Sequence, residues 1–188
     1  MKIMRTFVCI EICDKVRRNL SLLCANLSKA DANVRWVDES NVHLTLNFLG
    51  EVNERRISEV CNVVKRITLA NKDFRFSVEG LGTFPAKGSP RVVWCGVREE
   101  SGALEKFQAE LSEALRDYAQ KDERKKFVPH LTVGRVRGTQ NAEALLQAIG
   151  TRRNLRLGSQ SAGSVILMMS ELERGGPIYT PLGQWKLL

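Results

Sequence analysis

Apolar and polar positions alternate at the start of the chain and predict a β-strand there. The segment RTFVCIEI (5–12) alternates and is rich in β-forming residues, which is typical of a half-buried strand. The segment after it, DKVRRNLSLLCANLSKA, repeats apolar residues with helical spacing. They are Val16, Leu20, Leu23, Cys24 and Leu27. The same patterns predict a turn and strand through RWVDESNVHLTLNFL, a helix over 55–69 and a strand over 74–81 (FRFSVEGL).

The second half of the chain repeats this order of elements. TFPAKGSP, rich in proline and glycine, predicts a connector near the midpoint. It is followed by a predicted strand over 91–98 (RVVWCGVR), a helix over 103–118, a strand over 127–136 (FVPHLTVGRV), a short helix over 141–150 and a strand over 161–172 (SAGSVILMMSEL). A terminal hairpin or strand is predicted over 175–187. No Gly-x-Gly-x-x-Gly or P-loop phrase follows any strand, which argues against a doubly wound parallel sheet.

A fixed offset relates the two halves of the chain. Its two histidines, at 43 and 130, both begin the phrase His-Leu-Thr, and 87 residues separate them (130 minus 43). The same offset carries Phe7 onto Trp94 and Val78 onto Val165. We therefore expect a duplicated β-α-β-α-β unit, roughly 5–81 and 91–172, in a single two-lobed domain over 1–188. The expected fold class is α+β: two mainly antiparallel sheets, intertwined about a pseudo-twofold axis, face a central cleft and carry the helices outside.

Composition is typical of a globular protein, and its positive charge fits either an anionic partner or a solvated cationic surface. Its 188 residues, 43% of them hydrophobic, suit one domain with a sizeable core. The formal net charge of +8 favours a polyanion such as RNA. No apolar run approaches the ~20 residues of a membrane span, and the N-terminus lacks a signal-peptide core. We expect a cytoplasmic protein without membrane contact.

The cysteines and histidines argue against a metal or a disulfide framework. Five cysteines occur without a Cys-x-x-Cys pair, so they are expected to be reduced and mostly buried. Two histidines without a neighbouring carboxylate cluster make a poor metal site. We expect chemistry that needs neither metal nor cofactor.

The repeated phrase carries the candidate chemistry. Residues two apart on a strand share a face, so His43 and Thr45 project together, as do His130 and Thr132. Two imidazoles at one site can act as general base and general acid because their ordinary pKa lies near ~6.5. Two hydroxyls can hydrogen-bond the non-bridging oxygens of a phosphate. This set suits phosphodiester chemistry, and the repeated placement disfavours the alternative that these are inert strand residues.

Three further residues are candidates at the same site. Arg135 could bind the phosphate, although strict alternation points it away from His130 unless the strand bulges at Gly134. The alternative is a solvated arginine. Phe48 and Phe7 are candidates for stacking on an RNA base, and the alternative for both is core packing. The charged run at 121–126 (KDERKK) could guide an RNA backbone or form a solvated loop.

HLTL and HLTV resemble the paired His-x-Thr-x motifs of the two-histidine phosphoesterases. RTFVCIEI, RWV, FLGEV, FP followed by PRVVWCGV, PHLTVGR and SELERGGPIYTPLGQW resemble the RNA 2′,3′-cyclic phosphodiesterases once called 2′-5′ RNA ligases. The resemblance spans essentially the whole chain. It implies metal-independent hydrolysis of an RNA 2′,3′-cyclic phosphate to a 2′-phosphomonoester, with His43 as proton donor and His130 as proton acceptor.

The expected partner is RNA ending in a 2′,3′-cyclic phosphate, with tRNA fragments among the candidates, and the expected state is a monomer. Two enzymatic alternatives keep the same residues: cleavage or joining of 2′-5′ linkages, and hydrolysis of a small cyclic nucleotide. A non-catalytic RNA-binding module is the alternative outside enzymes. The two motifs are too symmetric for their own residues to decide which histidine is the acid.

Overall fold

Four α-helices and nine β-strands form the part of the chain that the computed structural model describes, residues 2–120, 126–174 and 176–188. The strands are β1 (Ile3–Glu11), β2 (Val34–Trp36), β3 (His43–Asn53), β4 (Arg75–Phe84), β5 (Val92–Arg98), β6 (His130–Val136), β7 (Arg156–Ser161), β8 (Ser164–Glu173) and β9 (Gly176–Lys186). The helices are α1 (Asp14–Leu27), α2 (Ile57–Leu69), α3 (Ala103–Ala114) and α4 (Ala142–Gly150). None of the described helices is long and apolar enough to cross a bilayer.

The strands form one antiparallel sheet in the order β7-β4-β5-β6-β3-β1-β8-β9, with β2 paired to β6. The α+β class and the antiparallel pairing predicted from the sequence are confirmed. The two expected sheets are the two halves of this sheet. They are joined through β3 and β6 at a single residue pair, Leu44 and Leu131.

The core lies between the sheet and the helices. Leu44, Leu46, Leu131 and Val133, which alternate with the motif histidines and threonines, are buried in it. Helix α1 buries four of the five residues on its predicted face, and Cys24 is partly buried. Burying one such leucine contributes about 1.5–3 kcal/mol. The motif strands are therefore anchored by one face, which leaves the other face free for chemistry.

Several boundaries differ from the sequence-based predictions for identifiable reasons. The strand predicted over 161–172 is the end of β7, a turn and β8, because Gly163 adopts a positive φ of 57° and reverses the chain. The helix predicted over 55–69 begins at Ile57, after a 3-10 turn at Glu54–Arg56. The helix predicted to reach 118 ends at Ala114, and a second 3-10 turn follows at Arg116–Tyr118. Short β2 and most of β7 were not predicted.

Candidate active site

The pairing of β3 with β6 brings the two motifs together. Leu44 and Leu131 are direct antiparallel partners and both point into the core. His43 and Thr45 flank one leucine and His130 and Thr132 flank the other, so all four project from the opposite face of the sheet. They line one cleft with a volume of about 1080 Å³. All seven site residues predicted from the sequence line this cleft: Phe7, His43, Thr45, Phe48, His130, Thr132 and Arg135.

Both imidazoles are oriented by the same backbone contact. Nδ1 of His43 donates to the carbonyl oxygen of Asn41 at 2.8 Å, and Nδ1 of His130 donates to that of Val128 at 2.7 Å. A carbonyl only accepts, so Nδ1 carries the proton in each neutral ring. Neither Nε2 is hydrogen-bonded to a described residue. Each ring therefore offers Nε2 to the cleft, as a base when neutral and as an acid when protonated.

The two histidines have different aromatic neighbours. His43 stacks on Phe7, with ring centroids 4.6 Å apart and an angle of 24°, and meets the ring of Tyr179 edge-on at 5.3 Å. His130 meets Phe84 edge-on at 5.0 Å and Trp94 at 6.3 Å. Both rings are thus held at their sides as well as through Nδ1.

Burial lowers the pKa of His43 below its ordinary value. The hydrogen bond to Asn41 acts in the opposite direction, and the nearby charge of His130 lowers the pKa further. Desolvation disfavours the charged form of an imidazole. His43 is therefore neutral near pH 7 in the free protein.

Arg135 reaches the cleft because β6 bulges beside it. Strand β5 pairs Trp94 with Thr132 but Val93 with Gly134, so the register skips one residue. Val133 and Gly134 are both buried as a result, and Arg135 is exposed on the side of His130. The conditional prediction of a bulge at Gly134 is confirmed. Glycine suits the position because a Cβ would lie 2.8 Å from Val34 Cγ1 and 3.0 Å from Trp36 Cε3.

Phe48 lies in the cleft and outside the core. Register shifts in the pairing of β3 with β1 turn it outward, and 53% of its surface is exposed. The guanidinium of Arg5 lies 5.0 Å from its ring centroid, a cation–π distance. The core alternative for Phe48 is therefore wrong, and its ring is open to a ligand.

Phe7 does not fit the base-stacking role considered for it. It is 3% exposed, and its ring packs against His43 and Tyr179. It belongs to a small cluster with Cys9 and Ile166 on the cleft side of the sheet. That packing leaves no ring face for a base, so Phe7 supports His43 instead.

Other cleft residues were not identified as site residues from the sequence. Among them are Arg5, Arg35, Trp36, Arg137, Leu172, Ile178 and Tyr179. All of these except Arg137 lie in segments that carried the family resemblance, but no pattern in the sequence assigned them to the site. The offset of 87 residues pairs Phe7, which packs on His43, with Trp94, which packs beside His130. This offset could therefore have identified Trp94. The charged run at 121–126 falls, at 121–125, outside the described residues.

The remaining polar groups limit the kinds of reaction that the site can catalyse. Thr45 and Thr132 are partly buried, and neither hydroxyl has a hydrogen-bond partner among the described residues. Burial raises the pKa of the Cys9 thiol to about 12, so this cysteine, which packs in the cluster of Phe7, is protonated and a poor nucleophile. Within the described ranges, no three His, Cys, Asp or Glu side chains form a metal-binding group.

Comparison with known proteins identifies the family of the chain. A family model described as LigT-like phosphoesterase matches residues 10–94. An RNA 2′,3′-cyclic phosphodiesterase of Methanothermobacter thermautotrophicus is 36% identical over 183 residues, 97% of this chain and 98% of that protein. The chain belongs to the LigT-like phosphoesterase family.

Two further proteins match most of the length of this LigT-like phosphoesterase. An RNA 2′,3′-cyclic phosphodiesterase of Thermotoga maritima is 42% identical over 134 residues, 71% of each chain. The crystal structure of E. coli LigT complexed with 3′-AMP superposes with a TM-score of 0.78 at 26% identity, covering 99% of both chains. The fold of the family is thus preserved over the whole described sheet, including both motif strands.

Proposed function

We propose that this protein hydrolyses the 2′,3′-cyclic phosphate at the end of an RNA and leaves a 2′-phosphomonoester, without a metal. The observation that carries the proposal is the meeting of two His-Leu-Thr strands at the Leu44–Leu131 pair, with both Nε2 atoms available in one cleft. Relatives named RNA 2′,3′-cyclic phosphodiesterase support the substrate.

In the proposed reaction, His130 Nε2 takes a proton from water as its oxygen attacks phosphorus. The bond between phosphorus and O3′ breaks, and His43 Nε2 donates its proton to O3′. The phosphate stays on O2′. Attack and departure occur on opposite sides of phosphorus, so an acid and a base on two neighbouring strands, with the phosphate between them, suit the two ends of this line. Thr45 and Thr132 donate to the non-bridging oxygens as charge develops there.

The proposed acid, His43, is neutral in the free protein because burial lowers its pKa. A bound phosphodiester anion beside the ring favours the charged imidazole and raises that pKa. We propose that the substrate thereby recruits the proton that His43 later donates. Arg135, on the cleft face of the bulged strand, binds the same phosphate through its fork of donors.

The proposed RNA contact includes Phe48. Its exposed ring, with Arg5 on one side, suits stacking of an unpaired base, since every base presents a π-face. We further propose that the protein acts as a monomer in the cytoplasm and that tRNA fragments are among its substrates. The site is built from one chain, and all five cysteines are free.

The decisive experiment incubates the purified protein, in the presence of a chelator, with an oligonucleotide that ends in a 2′,3′-cyclic phosphate. We expect a 2′-phosphate end, identified against 2′- and 3′-phosphate standards. His43→Ala and His130→Ala should each lower turnover ~10²–10⁴-fold, with circular dichroism unchanged. A 3′-phosphate product, a requirement for added metal, or full activity in either variant would contradict the proposal. A 2′-5′-linked dinucleotide and a cyclic mononucleotide in parallel test the alternative substrates.

A further inference from the structure

The cleft continues well past the histidine pair. Its volume of about 1080 Å³ reaches the upper limit of pockets that hold one drug-sized ligand. Its far end is formed by β2, by the residues that follow β6 and by the tip of the β8–β9 hairpin. The terminal nucleotide, placed at His43 and His130, leaves this end available for another part of the RNA.

Arginines are concentrated at this far end. Arg35 and Arg135 are direct cross-strand partners of β2 and β6, and both line the cleft, as does Arg137. Like charges placed opposite each other cost stability in a sheet. Neither Arg135 nor Arg137 forms an ion pair with a described carboxylate. Two acidic residues, Asp38 and Glu173, line the cleft, and Asp38 accepts hydrogen bonds from Ser40. The cluster is therefore suited to an anion.

The spacing places Arg137 beyond the reacting phosphate. Thr132 and Arg137 are five residues apart, about 15 Å along a strand. A phosphate held by Thr132 and the histidines lies nearer to Arg135. Arg137 lies just beyond the end of β6, within reach of the next phosphate of an RNA strand that followed β6.

The opposite wall is apolar and exposed. Leu172 is 71% exposed, and Pro177, its direct partner across the β8–β9 hairpin, is partly exposed on the same face. The hairpin is held against the cleft, because Asn41 Nδ2 donates to the carbonyl oxygen of Pro177 at 3.3 Å. Its Gly176 approaches Arg35, whose Nη2 would lie 3.0 Å from an added Cβ. Exposed apolar side chains beside cations suit the base and ribose of an unpaired nucleotide.

We propose that β2, the end of β6 and the β8–β9 hairpin tip form a subsite for the nucleotide on the 5′ side of the cyclic phosphate. Arg137 and Arg35 bind its phosphodiester, and Leu172 and Pro177 contact its base or ribose. This inference rests on the proposed function and narrows it: the substrate class is single-stranded RNA of two or more nucleotides, in preference to a cyclic mononucleotide.

The test compares kcat/KM for three substrates with the same terminal nucleoside. They are a 2′,3′-cyclic mononucleotide, a dinucleotide with a 2′,3′-cyclic end, and that dinucleotide with a neutral methylphosphonate linkage. We expect the unmodified protein to favour the charged dinucleotide about tenfold or more, and the neutral linkage to remove most of this preference. One charge-assisted hydrogen bond to phosphate has an effect of this order.

Arg137→Ala should lower the preference for the charged dinucleotide about tenfold. It should change kcat/KM for the neutral dinucleotide little. Arg137→Lys should restore part of the preference because it keeps the charge. Arg66→Ala, an exposed arginine on α2, is the matched control and should leave all three values unchanged. Equal kcat/KM for all substrates, or an equal loss on all substrates in Arg137→Ala, would overturn the subsite. Absence of turnover with every substrate would instead contradict the proposed function.

Discussion

His43 and His130 make the same backbone hydrogen bond but differ in their surroundings. Each donates Nδ1–H to the carbonyl two residues upstream, so the repeated phrase orients both rings identically. His43 is enclosed by Phe7 and Tyr179, and burial lowers its pKa. Two copies of one motif are thus made chemically unequal by residues outside the motif.

Because the chain has only two histidines, their titration can be followed directly by imidazole NMR. His43 should titrate below the ordinary pKa of ~6.5 in the free protein. A non-hydrolysable phosphodiester analogue should move this titration to higher pH, since an anion favours the protonated ring. Analogue affinity should therefore fall as pH rises between the free and bound pKa values of His43.

The His43→Asn variant assigns the resonance and serves as the control, because its analogue affinity should lose this part of the pH dependence. A His43 signal that titrates at or above pH 6.5 in the free protein, or that does not respond to the analogue, would show that the substrate does not supply the proton.

Phe48 is the second residue whose role can be tested alone. Phe48→Ala should weaken binding of a cyclic-phosphate-ended oligonucleotide by ~1–3 kcal/mol, the usual effect of losing one base-stacking side chain. Phe48→Trp should retain the affinity. The measurement is binding to a catalytically inactive His130→Ala background. Leu22→Ala, an exposed apolar residue on α1, is the control. Unchanged affinity in Phe48→Ala would exclude stacking.

At the scale of elements, bulges decide which residues reach the cleft. Alternation along β3 and β6 correctly placed His43, Thr45, His130 and Thr132 on one face. The same rule would have turned Arg135 away, and register shifts on both strands override it. The shift beside Gly134 depends on a residue without a side chain, since Val34 and Trp36 fill the space above it.

Gly134→Ala should disturb this element. The new methyl group meets Val34 and Trp36 at 2.8–3.0 Å, so we expect ~1–3 kcal/mol lower unfolding free energy together with reduced activity through Arg135. Urea unfolding and kcat/KM measure the two effects. Gly150→Ala, at the end of α4 where nothing lies within 4 Å of the new Cβ, should be neutral or stabilising by up to ~1 kcal/mol. Equal stability of the two variants would contradict this account of the bulge.

At the scale of the whole molecule, the strand order supports the duplication that the offset suggested. The offset carries β1 onto β5, β3 onto β6 and β4 onto β8, and exchanging these pairs reverses the central order β4-β5-β6-β3-β1-β8. Leu44 pairs with Leu131, its own counterpart, at the centre. We propose that a duplicated unit forms one domain in which each unit contributes its last strand to the other half of the sheet.

This exchange of strands predicts cooperative unfolding. Neither half of the sheet can be completed by one unit, so the halves should unfold together in a single transition. Fluorescence of Trp94 in one half and of Trp185 in the other, each isolated by replacing the remaining tryptophans with phenylalanine, should give coincident urea midpoints. Two separate midpoints would show two independent lobes and contradict the proposal.

Local patterning was sufficient for the α+β class, the helices, most strands and the repeated His-Leu-Thr phrase. It sufficed because alternation and helical spacing depend on neighbours in sequence, which set the faces of α1, β3 and β6. Three-residue β2 lacked enough positions to show a pattern, and β7 was hidden by a turn at Gly163. Phe7 is buried because it packs against His43 and Tyr179, and Phe48 is exposed because the register shifts; no local pattern specifies either result.

The contacts across the sheet were set only in the folded molecule. The sequence alone specified two imidazoles and two hydroxyls on anchored strands, because side chains two apart share a face. Four features join residues that are far apart in the chain, as His43 and Tyr179 are. They are the pairing of Leu44 with Leu131, the bulge that brings Arg135 to the cleft, the enclosure of His43 by Tyr179, and the arginine-lined end of the cleft. Such contacts depend on strand order and register, which packing of the whole sheet determines.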